Sequence, residues 1–210
     1  YVPDWVKADQ ERFPRCETAS GETLEMLSPF CPANLEADSR AFVALMKHIR
    51  EVDAAQGTVI LVQVENEIGM IGDARDNSPL ADAAFAAPVP AALMDYIKAH
   101  SDTITPLLRS LWVANGKRSA GTWAEVFGTS PDAEEVFMAW AYAKFTDAVA
   151  EAGKAEYPLP MYVNAALIRP GHVQGQYPSA GPLPHLIDVW RAAAPSIDFL
   201  SPDIYFRDYV

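Results

Sequence analysis

The stretch Val59-Ile-Leu-Val-Gln-Val-Glu-Asn-Glu-Ile-Gly69 decides the fold. It opens as a β-branched, apolar run and ends abruptly in Glu65, Asn66 and Glu67, just before Gly69. Such a run, bounded by turn residues, predicts a strand over 58–67 that is buried on both faces of a parallel sheet. Ionised carboxylates are costly to bury unpaired, so packing gives no reason for two of them at a strand's C-terminal end. In an α/β barrel that end is where the active site forms. A surface turn, where the strand simply reaches solvent, is the ordinary explanation of a polar strand end. Against it stand Gln63 and Glu65, polar while still inside the strand, and the chemistry of the Asn66-Glu67 pair.

Glycoside cleavage needs one carboxyl group that protonates the leaving oxygen and later takes a proton from water. It also needs a second carboxylate as nucleophile or base. Asn66-Glu67 offers the acid and, beside it, an amide able to donate to a sugar hydroxyl. On these residues, Gln63-Val-Glu-Asn-Glu-Ile-Gly69, the chain resembles the Gln-Val-Glu-Asn-Glu-Tyr-Gly signature of glycoside hydrolase family 35. These are the β-galactosidases of the clan A barrels. In that family the Glu after Asn is the general acid/base at the end of the fourth barrel strand. The resemblance implies Glu67 as acid/base and Asn66 as the contact to the 2-hydroxyl. It also implies terminal β-linked galactose as the substrate, a retaining double displacement, and no cofactor. The sequence departs from the signature at Ile68, where the family usually has Tyr.

Residues 63, 65 and 67 share one strand face, so Glu65 is expected to point into the barrel beneath Glu67. There it either tunes the acid by charge repulsion or pairs with a cation from another strand. Strict alternation aims Asn66 outward, so a local bulge is required for Asn66 and Glu67 to reach one sugar.

Outside this motif the chain alternates between helix and strand patterns. Residues 1–34 read as irregular, with four prolines. A helix is expected over 36–53, with Asp38 as N-cap and Phe42, Val43, Leu45, Met46 and Ile49 at helical spacing. A long connection over 69–90 follows the strand, with a local salt bridge within Arg75-Asp76-Asn77-Ser78, and makes a candidate wall for the leaving-group subsite. Helices are expected over 91–100 and 104–114, then a glycine-punctuated loop over 115–128. Ser130-Pro131 is a strong helix start, for a helix running to about 152. Its buried face is read from Phe137, Trp140, Ala141, Phe145 and Val149. A strand over 161–167, a helix over 183–194 and a strand over 197–206 complete the chain.

Helix-then-strand units in succession predict a parallel α/β architecture. The three strands look like the fourth, fifth and sixth of a (β/α)8 TIM barrel, the chain running roughly from the loop after strand three through strand six. Three strands cannot close a barrel, so the sequence is expected to be one segment of a larger catalytic domain. The other strand ends are polar too. Asn164 resembles the fifth-strand Asn of clan A pockets, and Asp203 and Tyr205 end the last strand; each is also compatible with an ordinary turn or core role. Together with Asn66 and Glu65 they are the candidate substrate contacts. The family's nucleophile is a Glu on strand seven, for which no residue here is a match. Trp112 and Trp123 are weighed as sugar platforms, without assignment to the site.

Composition narrows the alternatives. With 28 acidic and 16 basic residues among 210, the net charge is −12, and no basic stripe tracks phosphates. Nucleic acid is therefore not an expected partner, and no apolar run has the length of a membrane span. Four scattered histidines and two cysteines give no metal-ligand spacing. Cys16 and Cys31 are open to a disulfide or to two free thiols. The chain opens on Tyr1, not Met, and the compartment leans to periplasmic or secreted. Competing expectations are a carbohydrate-binding barrel without catalysis, a clan A retaining hydrolase of other sugar specificity, and a nucleotide-binding α/β domain. The last lacks a glycine-rich phosphate loop after any strand.

Overall fold

The computed structural model describes residues 2–205. In chain order it runs α1 (Asp4–Ala8), β1 (Arg15–Glu17), β2 (Thr23–Leu27), α2 (Pro32–Asp53), β3 (Val62–Gln63), α3 (Pro79–Ala86), α4 (Ala91–Ala99), α5 (Pro106–Ala114), α6 (Trp123–Phe127), α7 (Pro131–Glu156), β4 (Met161–Ala166), α8 (Ile187–Ala193) and β5 (Phe199–Asp203). β1 and β2 form an antiparallel hairpin; β3, β4 and β5 form a three-stranded sheet in that order, parallel throughout.

α7 is the spine of the molecule. Ser130 caps it by accepting from the Ala133 amide, and Pro131 occupies its first turn, as the sequence predicts. It runs four residues past 152, to Glu156, because nothing breaks the helix before Tyr157. Val136, Met138, Ala139 and Ala143 are fully buried, as are Met161 and Val163 on β4, and all belong to one core. α2 crosses α7 so closely that a Cβ on Gly153 would lie 2.3 Å from the Phe42 ring. Only glycine permits that approach.

Several sequence expectations need correction. α2 starts at Pro32 behind an extended Cys31, so Asp38 lies inside the helix and not at its cap. The proline preset the first turn earlier than the apolar periodicity suggested. The strand expected over 58–67 is paired only at Val62–Gln63. It is an edge strand, with Ile60 70% exposed, and only Val64 in the run is buried. The 69–90 connection contains α3, capped by Ser78, and the 115–128 loop contains α6, held by a capping box between Thr122 and Glu125. The irregular N-terminus contains α1 and the hairpin. The helix expected over 183–194 divides into a 3-10 turn at Pro184–Leu186 followed by α8. The last strand ends at Asp203, and Phe206 lies outside the described residues.

Cys16 and Cys31 are free, buried thiols, each near a backbone carbonyl, of Leu27 and Arg12 respectively. Arg75 pairs with Asp82 and Glu134, not with its neighbour Asp76. Asp76 is fully buried and accepts from the Glu17 and Ser78 amides and from the Ser28 and Ser78 hydroxyls, tying the hairpin to the loop after β3. Trp112 and Trp123 are both packed in the core.

Candidate active site

Beyond Gln63 the chain leaves the sheet in an unusual conformation. Glu65 and Glu67 both have positive φ, 59° and 48°. For residues with a Cβ the left-handed region costs about 1–2 kcal/mol each, so surrounding contacts must impose it. The Glu67 amide donates to Asn164 Oδ1 at 2.8 Å, and Gln63 Nε2 donates to the Glu65 carbonyl at 3.1 Å. Paired left-handed residues, and not a bulge within a ladder, turn the side chains of residues 65–67 toward one cleft. The turn is then clamped at Gly69, where a Cβ would lie 2.4 Å from the Pro178 carbonyl carbon.

Asn164 is the hub. It sits on the central strand, is 4% exposed, and lies in register with Ser201 of β5. Its Oδ1 accepts from the Glu67 amide and from Gln63 Nε2 (3.2 Å). Its Nδ2 donates to Asp203 Oδ2 at 2.6 Å and to Asn66 Oδ1 at 3.2 Å. The orientation is forced, since the carboxylate must meet the amide nitrogen and the N–H must meet the oxygen. All four hydrogen-bonding positions of this side chain are occupied. Asn66 differs: its Oδ1 also takes a bond from Gln63 Nε2 at 3.0 Å, its amide nitrogen has no partner among the described residues, and the residue lines the cleft.

Glu67 is partly exposed, and the Asp203 carboxyl is its acidic neighbour. Burial, and then the adjoining Asp203, raise its pKa above the ordinary glutamate range, while the Tyr205 hydroxyl, 3.4 Å away, works in the opposite direction. The same carboxylate pushes the Tyr205 phenol up. Glu65 does not sit beneath Glu67. It faces the Asp38 carboxyl on α2, and burial together with that neighbour push it up to about 8. No cation approaches it among the described residues; its partner is a second acid.

The structure thus brings Glu67, Asn66, Asn164, Asp203 and Tyr205 to the C-terminal end of three adjacent strands, with Glu65 on the flank toward α2. Of these, Glu65, Asn66 and Glu67 line a cleft of about 600 Å³, whose other walls are α1, the β2 end, the start of α2, Ile68, Gly69 and Ile71. Gln63, singled out in the sequence for its polarity inside the strand but not named among the site residues, is a further member of the network. The loop after β4 is anchored from behind by Glu135, wholly buried on α7. Burial drives its carboxyl up, but bonds from His185, Ala180 N and Tyr177 outweigh that and hold it below the usual range.

No helix among the described residues is long and apolar enough to cross a membrane, and none of their acidic, His or Cys side chains group as a metal site. No known family model matches this chain, and no curated protein does.

Proposed function

We propose that this chain carries the general acid/base of a retaining glycoside hydrolase, of the β-galactosidase-like kind that the motif from Gln63 to Gly69 resembles, within a (β/α)8 barrel. The observation that carries this reading is the setting of Glu67. It is a reachable carboxyl at the C-terminal end of parallel strands, held toward its protonated form by burial and by Asp203. A group that must give a proton near neutral pH needs that shift.

In this mechanism Glu67 gives its proton to the glycosidic oxygen as the bond to the anomeric carbon breaks, and the leaving group departs as a neutral alcohol. The resulting carboxylate then takes a proton from the attacking water, which restores the acid. Tyr205 steadies the carboxylate, and the free amide nitrogen of Asn66 is the donor available to a sugar hydroxyl. Asn164, with every position engaged, positions the others. Asp203 is not assigned as the second catalytic carboxylate: it neighbours the acid, raises its pKa and is held by the Asn164 amide, whereas the nucleophile of a retaining pair stands roughly 5–5.5 Å from the acid across the anomeric centre. The nucleophile in this reading comes from another strand, and the galactose preference rests on the motif alone.

In the intact protein, Glu67→Gln should cut hydrolysis of β-galactosides with poor leaving groups by about 10²–10⁴-fold, with thermal stability retained. Azide should partly restore turnover of substrates with good leaving groups. Near-normal activity on poor leaving groups would refute the assignment.

A further inference from the structure

The cleft that contains Glu67 has a wall that the chemistry above does not use. It is built from α1 and the turns around it, and its most exposed large side chain is Trp5, 52% exposed in a five-residue helix. The indole is not loose. It meets the Phe13 ring edge-on at 5.4 Å and 76°, and Phe13 is 2% exposed, with the Arg12 guanidinium 5.0 Å over its ring. Val6, on the next position of the helix, is buried, which pins α1 to the body. Ile71, 53% exposed, and Met26 continue the same apolar wall. Every other Trp of the described chain is buried or partly buried. One indole alone is held rigidly with its surface toward a cleft that also contains carboxyl groups.

We propose that Trp5 is the platform of a leaving-group subsite, on which the apolar face of a pyranose ring stacks. This rests on the reading of Glu67 as general acid. A general acid delivers its proton to the oxygen that stays with the leaving group, so the leaving group must occupy space adjoining Glu67. A sugar on the other side of the scissile bond is read through its hydroxyls, for which Asn66 is at hand in the cleft. A departing sugar needs a surface matched to its C–H face, and an indole supplies a broad, rigid one with a low entropy cost. A cleft of about 600 Å³ falls within the range of sites that enclose drug-sized ligands, so it has room for more than a single ring. The substrate class that follows is a β-linked di- or oligosaccharide, not a simple alkyl or phenolic glycoside.

The test compares leaving groups in the intact protein. Wild type, Trp5→Ala and Trp5→Phe are assayed on a β-galactosyl disaccharide, on nitrophenyl β-galactoside, and on the glycosyl fluoride, which has no ring to stack. For Trp5→Ala the disaccharide-to-fluoride ratio of kcat/KM should fall about tenfold, the effect of one lost stacking face, and Trp5→Phe should recover most of it. An equal fall on all three substrates, or no fall on any, overturns the subsite. A response confined to the nitrophenyl substrate assigns the wall to phenolic leaving groups and overturns the saccharide assignment. Calorimetric binding of the disaccharide to Glu67→Gln, with and without Trp5→Ala, separates this proposal from the one it rests on. Binding that weakens about tenfold with Trp5→Ala supports the platform even if the wild type proves inactive, whereas equal binding or none at all removes it.

Discussion

At the scale of single residues, the site is a set of carboxyl groups whose neighbours decide their protonation. Asp203 raises Glu67, so replacing it with Asn removes a charge that opposes ionisation. The alkaline limb of the pH–rate profile should then move to lower pH in Asp203→Asn, and a limb that stays in place would remove Asp203 from this role. Glu65 makes a different prediction. Its folded pKa of about 8 exceeds the ordinary glutamate value, so the folded state binds the proton more tightly than the unfolded one. The fold is therefore most favoured below the ordinary glutamate pKa and loses stability as pH rises through about 8. Glu65→Gln should melt above wild type at pH 8 and level with it at pH 4; the reverse order would contradict the pairing with Asp38. Asn164→Ala strands several partly buried polar groups at once, each costing about 1–3 kcal/mol. It should lower kcat more than it raises KM, together with a fall in melting temperature.

At the scale of elements, Ile68–Met70 crosses Pro178–Ala180 next to the cleft that Ile68 and Gly69 line. Met70 and Ser179 exchange backbone hydrogen bonds at 2.7 and 2.9 Å, and Gly69 lies against the Pro178 carbonyl. Gly69→Ala must push that crossing apart. It should unfold at clearly lower urea than Gly21→Ala, whose added Cβ meets nothing within 4 Å and suffers only backbone strain. Equal midpoints would show that the crossing yields freely. Legibility in the sequence followed the same physics. α7 was readable at its start because cap and proline agreed, but its buried face was misjudged. Phe137 and Val149 are buried, whereas Trp140, Ala141 and Phe145 are only partly so, and Val136, Met138, Ala139, Tyr142 and Ala143 take the core side. α6 had its Thr122-to-Glu125 signature, but the glycines around it outweighed a five-residue helix. The hairpin strands are too short to show alternation. The left-handed Glu65 and Glu67 are opposed by local preference, and the bond that holds Glu67 comes from β4, about a hundred positions away, so a local reading does not find the turn. Trp5 stayed unread because exposure of an indole is a property of packing, not of spacing.

At the scale of the whole molecule, β3 and β5 each pair on one side only among the described residues; Ile60, just before β3, and Phe199, on β5, are exposed. The proposed barrel extends the sheet at both edges, and the clan A likeness of the Gln63–Gly69 motif implies a retaining enzyme. NMR of the first-formed sugar should show the β-anomer released from a β-galactoside by the intact protein. Initial release of the α-anomer would refute both the mechanism and the family likeness.

The saturated amide of Asn164 also has a historical consequence. One side chain serves Gln63, Asn66, Asp203 and the Glu67 backbone, so none of these partners can drift alone without leaving a dangling bond. Among descendants of this sequence, positions 63, 66, 164 and 203 should either stay fixed together or change as a set, while the cleft wall around Trp5 is free to diversify from one lineage to the next.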